Sequence, residues 1–261
     1  MPVLGFIGTG NMGAALARAA SKKPENTLLL ANRSREKAEK LALELGGEVK
    51  ENPEVLGADY VFLGVKPQML AEMLEPLAPA LREAPQPPVL VSMAAVTSIE
   101  RVKALSGGSC PVIRIMPNTP VAIGKGITLY ACSGEVTAAQ EEGFLQAMEA
   151  AGRFLRTEEK YIDAGACISG CGPAFVDLFL EALADGGVAC GLPRAVALEL
   201  AAAMTAGAAE LMLQTGKHPA CLKDEVCSPG GTTIQGVRAL ERGTFRSSLI
   251  EAVIAAYERG K

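Results

Sequence analysis

Residues 5–13 read Gly-Phe-Ile-Gly-Thr-Gly-Asn-Met-Gly, and no other stretch limits the possible fold so sharply. An apolar run with strand character, residues 3–8, meets a helical pattern over 11–20. Gly8, Gly10 and Gly13 stand at the junction with G-x-G-x-x-G spacing. Each glycine there answers a separate need: a tight turn, a close backbone approach to a pyrophosphate, and a close contact between helix and strand. The positive end of the helix then faces the anion. Gly8, Thr9, Gly10, Asn11, Met12 and Gly13 are therefore expected to cradle a dinucleotide.

The rest of the first 157 residues keeps the same rhythm. Apolar β-rich runs at 27–32, 60–65, 89–94, 112–116 and 127–131 alternate with helical stretches. Near-continuous apolar strands separated by helices predict a parallel sheet covered on both faces. The fold class expected is α/β, a doubly wound Rossmann-type domain over 1–157. Beyond Thr157 the strand signal ends and an alanine-rich, all-helical region over 158–261 follows, expected to bind substrate and to dimerise. Gly170-Cys171-Gly172-Pro173 should break its first long helix.

The end of the second strand indicates which dinucleotide. A site for NAD places a carboxylate there to hold the ribose 2′-hydroxyl. This chain has Asn32, Arg33 and Ser34 instead. A guanidinium and a hydroxyl suit a 2′-phosphate, so NADPH is the expected cofactor, with NADH as the alternative. Val65-Lys66-Pro67 and Asn118, the latter between two prolines, follow later strands and are expected to reach the cofactor as well. No base stands out: the single histidine, His218, precedes Pro219 in a loop. A substrate that already carries its proton, such as an iminium, would need none.

On these residues the chain resembles the pyrroline-5-carboxylate reductases over essentially its whole length. The resemblance is carried by "GFIGTGNMG", "VKP" at 65–67, "MPNTP" at 116–120, "SGCGPAF" at 169–175, "EALADGGVACGLPR" at 181–194 and "HPACLKDEVCSPGGTTI" at 218–234. It implies reduction of L-1-pyrroline-5-carboxylate to L-proline by hydride transfer from NAD(P)H, the last step of proline biosynthesis. It also implies a homodimer with interlocked C-terminal helices, with decameric rings as a further assembly. Ser228, Gly230, Gly231, Thr232 and Thr233 are then expected to wrap the substrate carboxylate through helix-start N–H groups. Ser228 would cap that helix and Pro229 would open it. Thr233 would be the catalytic residue, its hydroxyl donating to the ring nitrogen. Two departures stand out: Cys171 and Phe175 replace the serine and tyrosine usual in the family.

Other classes fit less well. A β-hydroxyacid dehydrogenase would place a catalytic lysine where this chain has Val176, and an asparagine where it has Leu180. A non-catalytic NADP-binding redox sensor would be free to lose the intact Ser228–Ile234 segment. The formal charge of −4 and the lack of a Lys/Arg run argue against a nucleic-acid or anionic-membrane surface. With 49% hydrophobic residues there is material for a packed core. Seven scattered cysteines and no charged-then-apolar leader suggest reduced thiols and a cytoplasmic location, and their spacing offers no metal site.

Overall fold

The computed structural model describes residues 1–260, which divide into two compact units after Gly170. The first is built on an eight-stranded sheet of order β3-β2-β1-β4-β5-β6-β7-β8. Its strands are β1 (Val3–Ile7), β2 (Thr27–Ala31), β3 (Glu48–Val49), β4 (Tyr60–Leu63), β5 (Val89–Ser92), β6 (Val112–Met116), β7 (Gly126–Cys132) and β8 (Gly152–Arg156). Helices α1 (Asn11–Ser21), α2 (Arg35–Leu45), α3 (Asn52–Val55), α4 (Leu70–Leu74), α5 (Ala78–Glu83), α6 (Ile99–Leu105), α7 (Ala138–Ala147) and α8 (Ile162–Ser169) belong to this unit.

Alternate residues of each strand feed two apolar cores, one on each face. Phe6, Phe62, Val91 and Ile115 pack on one side with Leu16, Leu41 and Phe144. Ile7, Val61, Leu90 and Val112 pack on the other with Leu74, Val102 and Ile162. Phe6 and Phe62, paired across β1 and β4, stack with ring centroids 4.5 Å apart. Burial on both faces is the physical reason these strands read as apolar runs.

The sheet is parallel except at one seam. β7 runs antiparallel to β6, and β8 returns to run parallel to β7. A parallel neighbour needs a long crossover, and only a short 3₁₀ turn, Thr119–Ile123, joins β6 to β7.

Residues 158–170 fold with the sheet unit, not with the helices that follow. Ile162 is fully buried in the sheet's core, and Asp163 pairs with the buried Arg114 of β6. These two anchors hold α8 on the α/β side of the division.

The second unit contains α9 (Gly172–Ala189), α10 (Arg194–Thr215), α11 (Pro219–Val226), α12 (Thr232–Arg242) and α13 (Phe245–Gly260). The helical run is interrupted at Gly170–Cys171, and Pro173 falls in the first turn of α9, where its missing N–H costs no bond. Among this unit's described residues, only Ala184, Ala197 and Ala201 are buried apolar side chains, while Leu178, Leu200, Met204 and Ile250 are more than half exposed. The stretches Glu159–Ala189 and Arg194–Thr215 are long and apolar enough to cross a membrane by length and composition.

Candidate functional site

Parallel sheets of this kind bind ligands at the carboxyl edge of their strands. A recess of about 670 Å³ lies there, lined by Gly8, Gly10, Asn32, Arg33, Val65 and Lys66 among others. Three separate loops, after β1, β2 and β4, thus bring six of the expected cofactor residues to one place. Pro67, next in line, borders an adjoining recess of about 380 Å³.

The geometry around the glycines is that of a dinucleotide cradle. Gly8 has φ +95°, a left-handed conformation that strains any other residue. A Cβ on Gly13 would lie 2.2 Å from the Gly8 carbonyl oxygen, so α1 can approach β1 only without a side chain there. Gly10 is the opposite case: a Cβ on it would meet no protein atom within 4 Å. A side chain there would project into the open recess. The N–H groups of the first turn of α1, Asn11 to Gly13, have no intrahelical acceptor, and no side chain caps them. Thr9 Oγ1 is buried and without a hydrogen-bond partner among the described residues. An open glycine, uncapped helix donors and an orphaned buried hydroxyl together fit a pyrophosphate.

At the end of β2, the free and committed cations separate cleanly. Arg35 pairs with Glu39 at 2.9 Å and with Glu51 at 3.1 Å. Arg33 is exposed and makes no ion pair among the described residues. Ser34 precedes α2 in extended conformation, yet its hydroxyl makes no capping bond. Arg33, the Ser34 hydroxyl and the open N–H groups of α2 together form a phosphate-sized set of donors.

Asn118 is placed differently from these residues. It is buried, its Oδ1 accepts from the Ile127 N–H at 3.0 Å, and its Nδ2 donates to the Ser169 carbonyl at 3.0 Å. Both ends of its amide hold the protein together, and it does not line the recess.

The 228–233 segment also folds differently from a capped helix start. Ser228 to Gly231 form a turn closed by the Gly231 N–H donating to the Ser228 carbonyl at 3.0 Å. Pro229 and Gly230 occupy its centre, and Gly230 has φ +71°. Proline followed by a left-handed glycine is the pattern of a type II turn. Helix α12 begins only at Thr232, with Gly231 as its N-cap. Ser228 is thus not the cap, Pro229 does not open the helix, and the Gly231 N–H is already used.

The glycine at 231 has its own reason. The Ser228 Oγ lies 2.3 Å from where a Cβ on Gly231 would sit. The turn therefore folds the Ser228 hydroxyl over the start of α12. The N–H groups of Thr232 and Thr233 open that helix without intrahelical acceptors, and both residues are exposed.

Some residues of the site went unread in the sequence. Gly64 closes β4, and a Cβ there would be 2.3 Å from the Gly8 carbonyl oxygen. Lys50, Glu51 and Met69 line the main recess. A glycine ending an apolar strand was the available signal for Gly64; the others are ordinary loop residues in sequence.

Comparison with known proteins extends this geometry. Residues 159–261 match the family profile described as pyrroline-5-carboxylate reductase dimerisation, and residues 3–96 match that of NADP oxidoreductase, coenzyme F420-dependent. A pyrroline-5-carboxylate reductase of Glycine max is 41% identical, the match covering 99% of this chain and 94% of that protein. One from Escherichia coli is 34% identical, covering 99% and 97%. Among solved structures, the Streptococcus pyogenes 1-pyrroline-5-carboxylate reductase superposes with TM-score 0.88 at 29% identity, covering 100% of this chain and 98% of the other. The Plasmodium falciparum pyrroline carboxylate reductase, solved with NADP bound, gives 0.87 at 29% identity, covering 100% and 97%.

Proposed function

Because the chain belongs to the pyrroline-5-carboxylate reductase family, we propose how its own residues divide the work of that reaction. The activity is reduction of L-1-pyrroline-5-carboxylate to L-proline with NADPH, which ends proline biosynthesis. NADPH, when bound, supplies the hydride.

The α/β unit holds the cofactor. Gly8 and Gly13 shape the cradle, Gly10 leaves room for the pyrophosphate, and the N–H groups of Asn11 and Met12 face its charge. The Thr9 hydroxyl supplies a further donor. Asn32, Arg33 and Ser34 hold the adenosine end, with the guanidinium on the 2′-phosphate. Val65, Lys66 and Pro67 follow the pyrophosphate toward the nicotinamide. The single observation that carries the reading is the buried Thr9 hydroxyl, left without a hydrogen-bond partner among the described residues beside the uncapped start of α1.

The helical unit holds the imine. Its carboxylate meets the open N–H groups of Thr232 and Thr233 and the Ser228 hydroxyl, in the favourable field of the α12 N-terminus. Gly230 and Gly231 act through the turn that builds this pocket edge. Thr233 Oγ1 accepts from the N–H of the protonated ring nitrogen, orienting the C=N bond while its carbon accepts hydride. A protonated imine then leaves as a neutral amine without a strong base.

A homodimer is the assembly we infer for the helical unit, with decameric rings as a further step. Its apolar surface and the dimerisation profile over 159–261 support a second copy, in preference to a bilayer, as the cover for α9 and α10. A cytoplasmic location is supported by the free thiols of Cys110, Cys132, Cys171, Cys190, Cys221 and Cys227.

The test follows NADPH absorbance with purified protein and L-1-pyrroline-5-carboxylate, with NADH in parallel. Imine-dependent oxidation, faster with NADPH, is the expected result. Cofactor binding without oxidation would refute it.

A further inference from the structure

Strand β2 ends without the carboxylate that would hold a ribose 2′-hydroxyl, yet another segment brings one to the same recess. β3 pairs parallel with β2, Val49 opposite Leu30, and the Lys50 N–H donates to the Leu30 carbonyl at 3.0 Å. The chain leaving β3 therefore runs beside the chain leaving β2. Glu51 lines the dinucleotide recess together with Asn32, Arg33 and Arg35, at the end where a doubly wound sheet receives the adenosine ribose.

Two contacts fix the Glu51 carboxylate there. It accepts from the Glu54 N–H, while the Glu54 carboxylate accepts from the Glu51 N–H at 2.9 Å, a reciprocal cap of α3. Its Oε1 also accepts from Arg35 Nη1 at 3.1 Å. The carboxylate thus acts twice against an anion in the recess: it adds a like charge, and it occupies one of the two arginines that line this end. The side chains of Arg35 and Glu51 are both more than half exposed, and an ion pair of that kind is weak. Arg35 can be released at little cost, whereas the charge of Glu51 stays.

On the reading of the recess as the NADPH site, we propose that Glu51 is a specificity-determining residue for the cofactor, opposed to Arg33. Its carboxylate disfavours the 2′-phosphate of NADPH, which carries close to two negative charges, and accepts a hydrogen bond from the 2′-hydroxyl of NADH. The choice of cofactor is then a difference between an attractive guanidinium after β2 and a repulsive carboxylate after β3.

The experiment measures Kd for NADPH and for NADH by calorimetry on the full chain, and kcat/KM with L-1-pyrroline-5-carboxylate and each cofactor. The parent is compared with Glu51→Gln and Glu39→Gln. Glutamine keeps a carbonyl oxygen for the Glu54 N–H, and Glu51→Asn, a favoured helix cap, repeats the test if glutamine lowers Tm. Glu39 also pairs with Arg35 but does not line the recess, so its loss frees the arginine without changing the charge that faces the ligand. In Glu51→Gln the preference for NADPH over NADH in Kd should rise at least about fivefold, as removal of one charge beside a dianion allows, and the gain should shrink in high salt. In Glu39→Gln it should move by less than about twofold. An unchanged preference in Glu51→Gln, or an equal rise in both variants, overturns the proposal. If the preference in Kd shifts as expected but neither parent nor variant reduces the imine, the assignment of Glu51 stands and the reductase reading falls.

Discussion

The Asn118 amide joins the Ser169 carbonyl, at the last residue of α8, to the loop that follows β6. Its other end takes the Ile127 N–H of β7, so one buried side chain spans three segments. Replacing it with alanine should leave a buried donor and acceptor unpaired, at a cost of about 1–3 kcal/mol. Urea unfolding should show that loss, while NADPH affinity should stay within about threefold, well under the 1.4 kcal/mol that a tenfold change needs. A drop in affinity without a drop in stability would restore the cofactor contact expected from the sequence.

The cradle glycines should separate folding from binding. In Gly10→Ala the added methyl meets open space, so Tm should hold while the NADPH Kd rises about tenfold or more, a change worth about 1.4 kcal/mol. In Gly13→Ala the methyl would lie 2.2 Å from the Gly8 carbonyl oxygen, so both Tm and binding should fall. Calorimetry on the two variants side by side distinguishes these effects. Equal behaviour would contradict the geometry.

Arg33 should set cofactor choice. A charge-assisted bond to phosphate is worth about 1.5–3 kcal/mol. Arg33→Ala should therefore lower kcat/KM for NADPH by roughly 10- to 100-fold and leave NADH almost untouched, which steady-state kinetics with both cofactors would reveal. Loss with both cofactors alike would mean that Arg33 serves the loop and not the phosphate.

Gly231→Ala should act on the imine and not on the cofactor. The new Cβ displaces the Ser228 hydroxyl, which lies 2.3 Å from its position. KM for the imine should rise about tenfold, equivalent to about 1.4 kcal/mol, with NADPH affinity unchanged. Turnover equal to that of the parent would remove the turn from the account of carboxylate binding.

Alkaline stability should be limited by β7. Desolvation, with the bond to Glu141, pushes the Tyr130 hydroxyl up to about 12, and desolvation with the nearby Glu141 carboxylate pushes the Cys132 thiol up to about 11. Both folded values lie above the unfolded ones, about 10 and 8.5. The stabilisation is therefore whole below about pH 8.5 and is lost as pH rises through 11 and 12. Melting curves from pH 7 to 11 should show Tm falling above about pH 9, with a shallower fall in Tyr130→Phe. Parallel slopes would show that Tyr130 does not carry the effect.

Much of the fold was legible because its cause is local. The six inner strands read as apolar runs, since both their faces are covered. The edges were not legible: β3 is the dipeptide Glu48–Val49, and β8 carries Arg153 and Arg156. Nor was the reversal of β7, which depends on the shortness of one turn. Ser228-Pro229 suited a capped helix and a type II turn equally, and the left-handed Gly230 decides between them. The structural bonds of Asn118 were not legible for a different reason. A stiff, proline-flanked loop suggested a ligand, but its partner Ser169 lies 51 residues away in sequence.

The helical unit, with three alanines as its buried apolar side chains, has almost no interior of its own. In the homodimer proposed above it would gain its core by association, so that folding and assembly would become one second-order event. Dilution then acts on it as a denaturant does, and its unfolding midpoint should climb with protein concentration. The concentration at which the helices hold together becomes a lower bound on the level at which a cell must make the enzyme.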